Sequence, residues 1–250
     1  MRQVNIVVEG KKDLYFLHQF ILQRFGQLFD VAKNGIPDNV KKLSKPYKMT
    51  SKDDLLVLKI YDVEGFGSVK AYRDILKRPQ ELAPTDEFVS AVIFDADMTP
   101  PKGQNNANHA GFSARPQHIL DLLGITNSTH RPKGQSLIFL FPNNQSDGDI
   151  ETLMESMIVP TQGHSDFINV CWHNFERCVS AHGFNPTTRK SKMNEYTAAF
   201  DSLAWENNGI NRCFARPNLW DWNVSSLIPL FDFVSGLLTG SPPNSFDAIL

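Results

Sequence analysis

An open α/β fold is what this sequence predicts: a mainly parallel four-stranded sheet with helices on both faces, followed by a C-terminal helical extension. Three observations carry that expectation. Short apolar runs at residues 5–8, 55–61, 88–94 and 136–141 alternate with segments of helical spacing, the pattern of a parallel sheet built from strand–helix units. The runs are almost continuously apolar, as strands buried on both faces must be. Each run also ends in, or leads to, a carboxylate: Glu9, then Asp62 and Glu64, then Asp95 and Asp97, and finally Asp147, Asp149 and Glu151 beyond Asn143.

The first strand closes on Glu9-Gly10, and Leu14, Leu17, Ile21 and Phe25 then fall on one stripe of a helix over 13–25. Residues 30–54 are polar and lysine-rich (Lys33, Lys41, Lys42, Lys45, Lys48, Lys52) with Gly and Pro breaks, and they read as a long, solvated loop or an irregular insertion. The second strand leads through 62–67 into a helix over 68–77. The third strand ends in Asp95-Ala96-Asp97. A Pro-, Gly- and Asn-rich loop over 99–115 precedes a short helix carrying Ile119, Leu120, Leu122 and Leu123. After the fourth strand, Gly148-Asp149 opens a helix through Ile150, Leu153, Met154 and Met157. Right-handed crossovers put the C-terminal ends of all four strands on one edge.

Beyond residue 160 the spacing becomes helical. Phe167, Cys171, Phe175 and Cys178 share a stripe over 166–182, and further helices are expected over 191–205 and 224–238. The organisation read from this is an α/β core over 1–159 with a helical extension over 160–250 packed on it as one structural unit.

Bulk properties narrow the function. A chain of 250 residues that is 41% hydrophobic can bury a sizeable core. A net charge of -2 excludes a global basic field, so a nucleic-acid partner has to be held by a local patch. Three cysteines (Cys171, Cys178, Cys213) suit a reducing compartment rather than a disulfide framework. The first apolar run is too short for a secretory signal, and no stretch is long enough to span a bilayer. The expectation is a cytoplasmic protein without a membrane partner.

In open parallel sheets, ligands bind outside the C-terminal ends of the strands. Carboxylates gathered there repel one another unless a cation neutralises them, and oxygen-only ligands favour Mg²⁺ or Mn²⁺. Asp95 and Asp97 are two residues apart, so in an extended segment both point to the same side and could reach one ion. Plainer roles compete: Asp13, Asp62 and Asp149 read as caps or loop residues, and Glu151 suits a helix N-terminus on dipole grounds alone. Glu9 has no capping role directly after an apolar strand.

These residues carry a resemblance. Val8-Glu9-Gly10-Lys11-Lys12-Asp13 resembles the opening glutamate motif of Toprim domains, and Ile93-Phe94-Asp95-Ala96-Asp97 resembles their Asp-x-Asp motif. The order is similar to that in small bacterial Toprim-like proteins related to the overcoming-lysogenisation-defect (OLD) nucleases, with Phe139–Asn144 leading to Gly148 and Glu151, and with Arg189-Lys190-Ser191-Lys192 as the later lysine-rich segment. The resemblance covers most of the chain. It implies Mg²⁺ or Mn²⁺ held by Asp95, Asp97, Glu9 and Glu151, with Glu9 also a general acid/base and Lys190 or Lys192 stabilising developing charge. It further implies phosphodiester cleavage of DNA or RNA, in genome maintenance or phage defence. The sequence has no Walker A motif, so the ATPase half of the lysogenisation-defect proteins would have to be a separate partner.

Other readings use the same residues. Asp95-Ala96-Asp97-Met98-Thr99 also matches the Asp-x-Asp-x-Thr signature of haloacid-dehalogenase-like phosphatases, but that motif normally ends the first strand, and here two strands precede it. Cys171, His173, Cys178 and His182 could suggest zinc, yet ligands from a single helix do not wrap a tetrahedral ion easily, and cysteines among Phe and Trp are expected in the core. Trp205, Trp220 and Trp222 could stack on bases, although helix packing explains them more simply. A non-catalytic module that binds nucleic acid or nucleotide is the alternative from outside enzymology.

Overall fold

The computed structural model describes residues 1–34, 46–63, 69–97, 111–123, 136–183, 189–200, 214–216 and 218–240. The apolar run that opens the chain becomes the central strand, β1 (Arg2–Val8). It pairs in parallel with β3 (Leu56–Asp62) on one side and β4 (Glu87–Asp95) on the other, in registers that set Val8 beside Asp62 and Ile93. β5 (Ser136–Phe141) continues the parallel sheet beyond β4. The order is β2-β3-β1-β4-β5, where β2 (Tyr47–Thr50) runs antiparallel to β3 at one edge.

Alternating side chains divide the core in two. Val4, Ile6 and Val8 of β1 join Ile60, Ile93, Phe139 and Phe141 in a large cluster with α1 (Lys11–Phe25), α5 (Ile150–Ser156) and α9 (Ile228–Thr239). Val7, Val92, Phe94 and Leu140 form a smaller cluster with α3 (Val69–Leu76) and α4 (Gly111–Leu123). The sheet is therefore covered on both faces, as the apolar runs require. The C-terminal segment belongs to the larger cluster: Trp222 lies against Phe16, Phe231 stacks on Phe25, and Phe233 meets Phe139. Trp220 and Trp222 are buried packing residues; Trp205 lies outside the described residues.

On the smaller-cluster side, polar groups fix one helix. The amide of Asn5 donates to the carbonyl of Ile75 at 3.0 Å, and the Ser90 hydroxyl donates to that of Leu76 at 3.1 Å. Both carbonyls belong to the last turn of α3, where no intrahelical donor remains.

Two expectations need correction. The segment over 30–54 holds an edge strand, β2, and a helical turn, α2 (Val31–Asn34), in addition to the undescribed residues 35–45. Asn34 holds these pieces together: its amide donates to the carbonyls of Asp30 and Thr50 at 2.9 and 3.1 Å and its oxygen accepts from Thr50 N at 2.9 Å. The alternation Tyr47-Lys48-Met49-Thr50, buried at Tyr47 and Met49, was obscured by the lysines around it. The second correction lies in the extension. The helix expected over 166–182 is broken into α6 (Gln162–Asp166), a π-helical turn over Phe167–Cys171 and α7 (Trp172–Ala181). The wider turn rotates α7 out of register with α6. Phe175, Cys171 and Cys178 consequently face solvent and Trp172 is the buried residue. Of the Phe–Cys stripe expected in the core, Phe167 packs against the large cluster and the other three members lie outside. The last helices are α8 (Arg189–Phe200) and α9, the latter entered through a short 3-10 turn over Ser225–Leu227. No described helix is long and apolar enough to cross a membrane.

His18 lies buried beneath β2. Its Nε2 donates to the carbonyl of Asn34 at 2.7 Å, and the Tyr47 hydroxyl donates to the same carbonyl. Burial pushes its pKa down to about 4 from the usual 6.5. The folded protein holds this imidazole neutral, so its contribution is intact above pH 6.5 and is lost as pH falls from there towards 4. The loss is expected to be on the order of 3 kcal/mol. Urea unfolding between pH 7.5 and 4.5 should show the loss as a difference between wild type and a His18→Gln variant, the gap narrowing as pH falls.

Candidate functional site

The strand ends supply a carboxylate cluster, and the topology decides which members meet. Glu9 directly follows β1 and Asp95 ends β4, on neighbouring strands at the same edge. α1 begins directly after Glu9, with Gly10 as its N-cap, and brings Lys12 and Asp13 to that edge. α5 brings Glu151, and α4 crosses the edge from the other face with Arg115.

Two groups of contacts result. Arg115, 1% exposed, lies 3.2 Å from Glu9 Oε2 and 3.3 Å from Asp97 Oδ2. Asp95 sits on the other side, accepting from the backbone N–H of Ile150 at 2.8 Å, and Lys12 pairs with Glu151. Among the described residues Asp95 and Asp97 engage different partners, and the extended alternation that would align them ends at Asp97, where φ is +60°. That turn is fixed from across the cleft, where Gly148 N–H donates to the Asp97 carbonyl at 2.9 Å. Gly148 itself has φ +144°, and a Cβ there would lie 2.9 Å from Thr152 Oγ1 and 3.0 Å from Pro142 Cδ. Gly148→Ala is therefore expected to cost ~1–3 kcal/mol, visible as a lower urea midpoint.

Burial and mutual repulsion govern the charges. The Asp95 carboxyl is held well above its ordinary pKa, first by burial and then by Asp13, Glu151 and Glu9. Asp13 is pushed up to about 7, by burial first and then by Glu9, against the hydrogen bond from Gly10 N–H. Glu9 is also raised, by burial above all, with Arg115 acting against it. Lys190 on α8 is exposed and close enough to lower the Glu9 pKa. Lys192 is engaged elsewhere, 2.6 Å from Glu155.

Of the expected site residues, the fold thus gathers Glu9 with Asp97, sets Asp95 and Glu151 beside them, and leaves Lys190 at the rim. Asp13 and Asp149 do cap their helices, Asp13 accepting from Gly10 N–H and Asp149 from Thr152 N–H, both at 2.9 Å. Asp13 is a member of the cluster as well. Asp62 is a buried strand residue, not a loop one, while Glu64, Met98 and Thr99 fall outside the described residues. Two members were missed from sequence. Arg115 falls in a span read as loop, because α4 starts at Gly111; a lone cation in a polar stretch gives no signal of burial. Lys12 was visible only as part of the Glu9 motif.

Among the described residues, no three His, Cys, Asp or Glu side chains are gathered closely enough to form a metal-ligand set. The acids are hard oxygen donors of the kind a divalent ion takes, although Arg115 already holds Glu9 and Asp97 and Lys12 holds Glu151. Each of Glu9, Asp13 and Asp95 is also pushed up by a neighbouring carboxylate, which is the repulsion such an ion removes. Asp95, Asp97, Glu9 and Glu151 are the residues that would hold it. The exposed Cys171 and Cys178, with His173 and His182, form no such group among the described residues.

Fold and site together define a mainly parallel α/β protein with an acidic cluster at the C-terminal ends of its inner strands. Residues 3–239 match a family model described as protein of unknown function (DUF3226), and the chain belongs to that family. The comparison with curated proteins gives no match. Among solved structures, the chain is similar to the crystal structure of the hypothetical protein PH0156 from Pyrococcus horikoshii OT3, with 16% identity, 86% of each chain covered and a TM-score of 0.48.

Proposed function

We propose that this protein is a Toprim-type enzyme, related in mechanism to the OLD nucleases, that uses Mg²⁺ or Mn²⁺ to cleave phosphodiester bonds in DNA or RNA. The observation that carries the reading is the meeting of Glu9 and Asp97, from two strand ends 88 positions apart in the sequence, on one buried guanidinium, with Asp95 beside them. Asp95, Asp97, Glu9 and Glu151 would hold the ion. When bound, it supplies Lewis-acid stabilisation of the phosphoryl oxygens. Glu9, raised in pKa yet 28% exposed, is placed to exchange a proton with a nucleophile or leaving group. Lys190 adds positive charge at the rim, where a phosphate backbone would approach. Lys192 supports α8 through Glu155. A separate ATPase is the proposed protein partner.

The test is to incubate the pure protein with plasmid, single-stranded DNA and tRNA in Mg²⁺ or Mn²⁺. Glu9→Gln is expected to slow cleavage by ~10²–10⁴-fold, and Asp95→Asn to abolish it. No cleavage of any substrate, alone or with a candidate ATPase, would overturn the reading. One observation favours a second reading: Arg115 already compensates part of the charge of Glu9 and Asp97 without an ion. Metal-dependent binding without cleavage would support a non-catalytic nucleic-acid module. The phosphatase reading has less support, since its motif normally ends the first strand and here β1, β2 and β3 precede β4 in the chain.

A further inference from the structure

We propose that Asp147 is a positioning residue of the strand-end site: by capping α4 from across the cleft, it sets where Arg115 meets Glu9 and Asp97. The assignment stands on the geometry around the arginine. Its consequence for turnover rests on the cleavage reading above.

Asp147 lies between β5 and α5, and its Oδ1 accepts from the backbone N–H of Phe112 at 2.6 Å. Phe112 is the second residue of α4, so a carboxylate from a remote segment satisfies one of the donors that open this helix. It also meets the positive end of the helix dipole. Arg115 stands one turn beyond that bond. Pro116, inside the helix, has no N–H to return to the Phe112 carbonyl, so the turn that carries Arg115 lacks one of its own bonds. Phe112 and Ile119 seat α4 on the smaller cluster, but apolar packing is non-directional and sets how close the helix lies rather than how far along its axis it stands. The directional hold comes from Asp147. The next residue holds the other half of the contact, because Gly148 N–H fixes the carbonyl of Asp97 at 2.9 Å. Two residues further on, Ile150 N–H meets the Asp95 carboxylate at 2.8 Å. One short segment thus places the helix bearing the arginine, the turn bearing one of its acids, and the neighbouring Asp95. The guanidinium contacts, 3.2 Å to Glu9 and 3.3 Å to Asp97, are at the outer edge of hydrogen-bond range, so a small displacement of α4 loses one of them.

The experiment is nuclear magnetic resonance of the Arg115 guanidinium in the isotope-labelled full chain, its signals assigned by their loss in Arg115→Lys. Solvent exchange of these protons is compared in wild type, Asp147→Ala, Asp147→Asn and Asp147→Glu. The control is Gln117→Ala, which removes an exposed bond to Asp121 at 2.8 Å on the same helix. Asp147→Ala is expected to speed exchange about ten-fold, the factor to which a lost helix cap corresponds. Asp147→Asn keeps an acceptor oxygen in place and should stay near wild type, a rescue that a general loosening of the fold would not give. Asp147→Glu moves the oxygen by one methylene and should fall between; it decides the matter if Asp147→Ala does not fold. In the cleavage assay, Asp147→Ala should lower kcat and leave KM unchanged, because Asp147 acts through Arg115. Unchanged exchange in Asp147→Ala, a loss in Asp147→Asn as large as in Asp147→Ala, or the same change in Gln117→Ala overturns the role of Asp147. The expected exchange pattern together with no cleavage by wild type leaves that role standing and overturns the cleavage reading alone.

Discussion

Phe16→Ala is expected to lower the unfolding free energy by ~3–5 kcal/mol, the largest single effect of any core substitution proposed for this chain. Phe16 is fully buried on α1, and its ring meets Phe141 of the sheet at 5.7 Å, Phe214 at 5.5 Å, Trp222 at 5.7 Å and Phe20 at 6.4 Å. It therefore joins three parts of the molecule that are remote in sequence. Truncation removes the aromatic contacts and leaves a cavity among rings anchored to different elements, which cannot close by shifting one of them. Urea unfolding followed by tryptophan fluorescence reads the loss directly, because Trp222 is one of the partners. Phe16→Leu, which keeps most of the volume, should cost less than half as much. A Phe16→Ala midpoint unchanged from wild type would mean that the C-terminal segment does not pack on α1.

The second large effect is electrostatic. Asp13 titrates near 7 in the folded protein against an ordinary value of 3.8. The folded state therefore holds its proton longer than the unfolded chain does, so the associated stability is complete below pH 3.8 and is lost as pH rises through about 7. The loss is on the order of 4 kcal/mol. Asp13→Asn should flatten that decline, since an asparagine can still accept from Gly10 N–H and carries no charge. The variant is expected to be more stable than wild type at pH 8 and nearly equal to it at pH 4. The window overlaps that of His18, which acts with the opposite sign, so wild type alone would show only a shallow slope. Chemical denaturation of the two single variants across pH 4–8 separates them. Mn²⁺ at pH 8 should recover part of the stability lost by wild type and less of that lost by Asp95→Asn.

The strand positions were legible because burial on both faces leaves an unbroken apolar run, and the C-terminal ends of β1, β3, β4 and β5 each fall within about a residue of the expected bounds. β2 was not, because an edge strand with one solvated face can carry Lys48 as readily as a loop can. The register of the extension was lost at the π-helical turn, since the wider turn rotates every later side chain and leaves no mark in composition. At the site, Glu9 and Asp95 could be placed because strand ends are fixed by topology. The split between Asp95 and Asp97 could not, because it depends on a positive φ at a residue other than glycine. Arg115 was invisible for a different reason: it is buried against Glu9, 106 positions upstream, and against Asp97, and its own neighbours in sequence announce neither.

The placement of β1 at the middle of the sheet bears on how the chain acquires its structure. Both neighbours of this strand come later, beginning at Leu56 and Glu87, with whole helices between. No hairpin can form early around it, and only long-range closure completes the sheet. Slow, multi-step refolding with a transiently uncovered apolar β1 is the consequence, and aggregation during that interval should depend steeply on protein concentration.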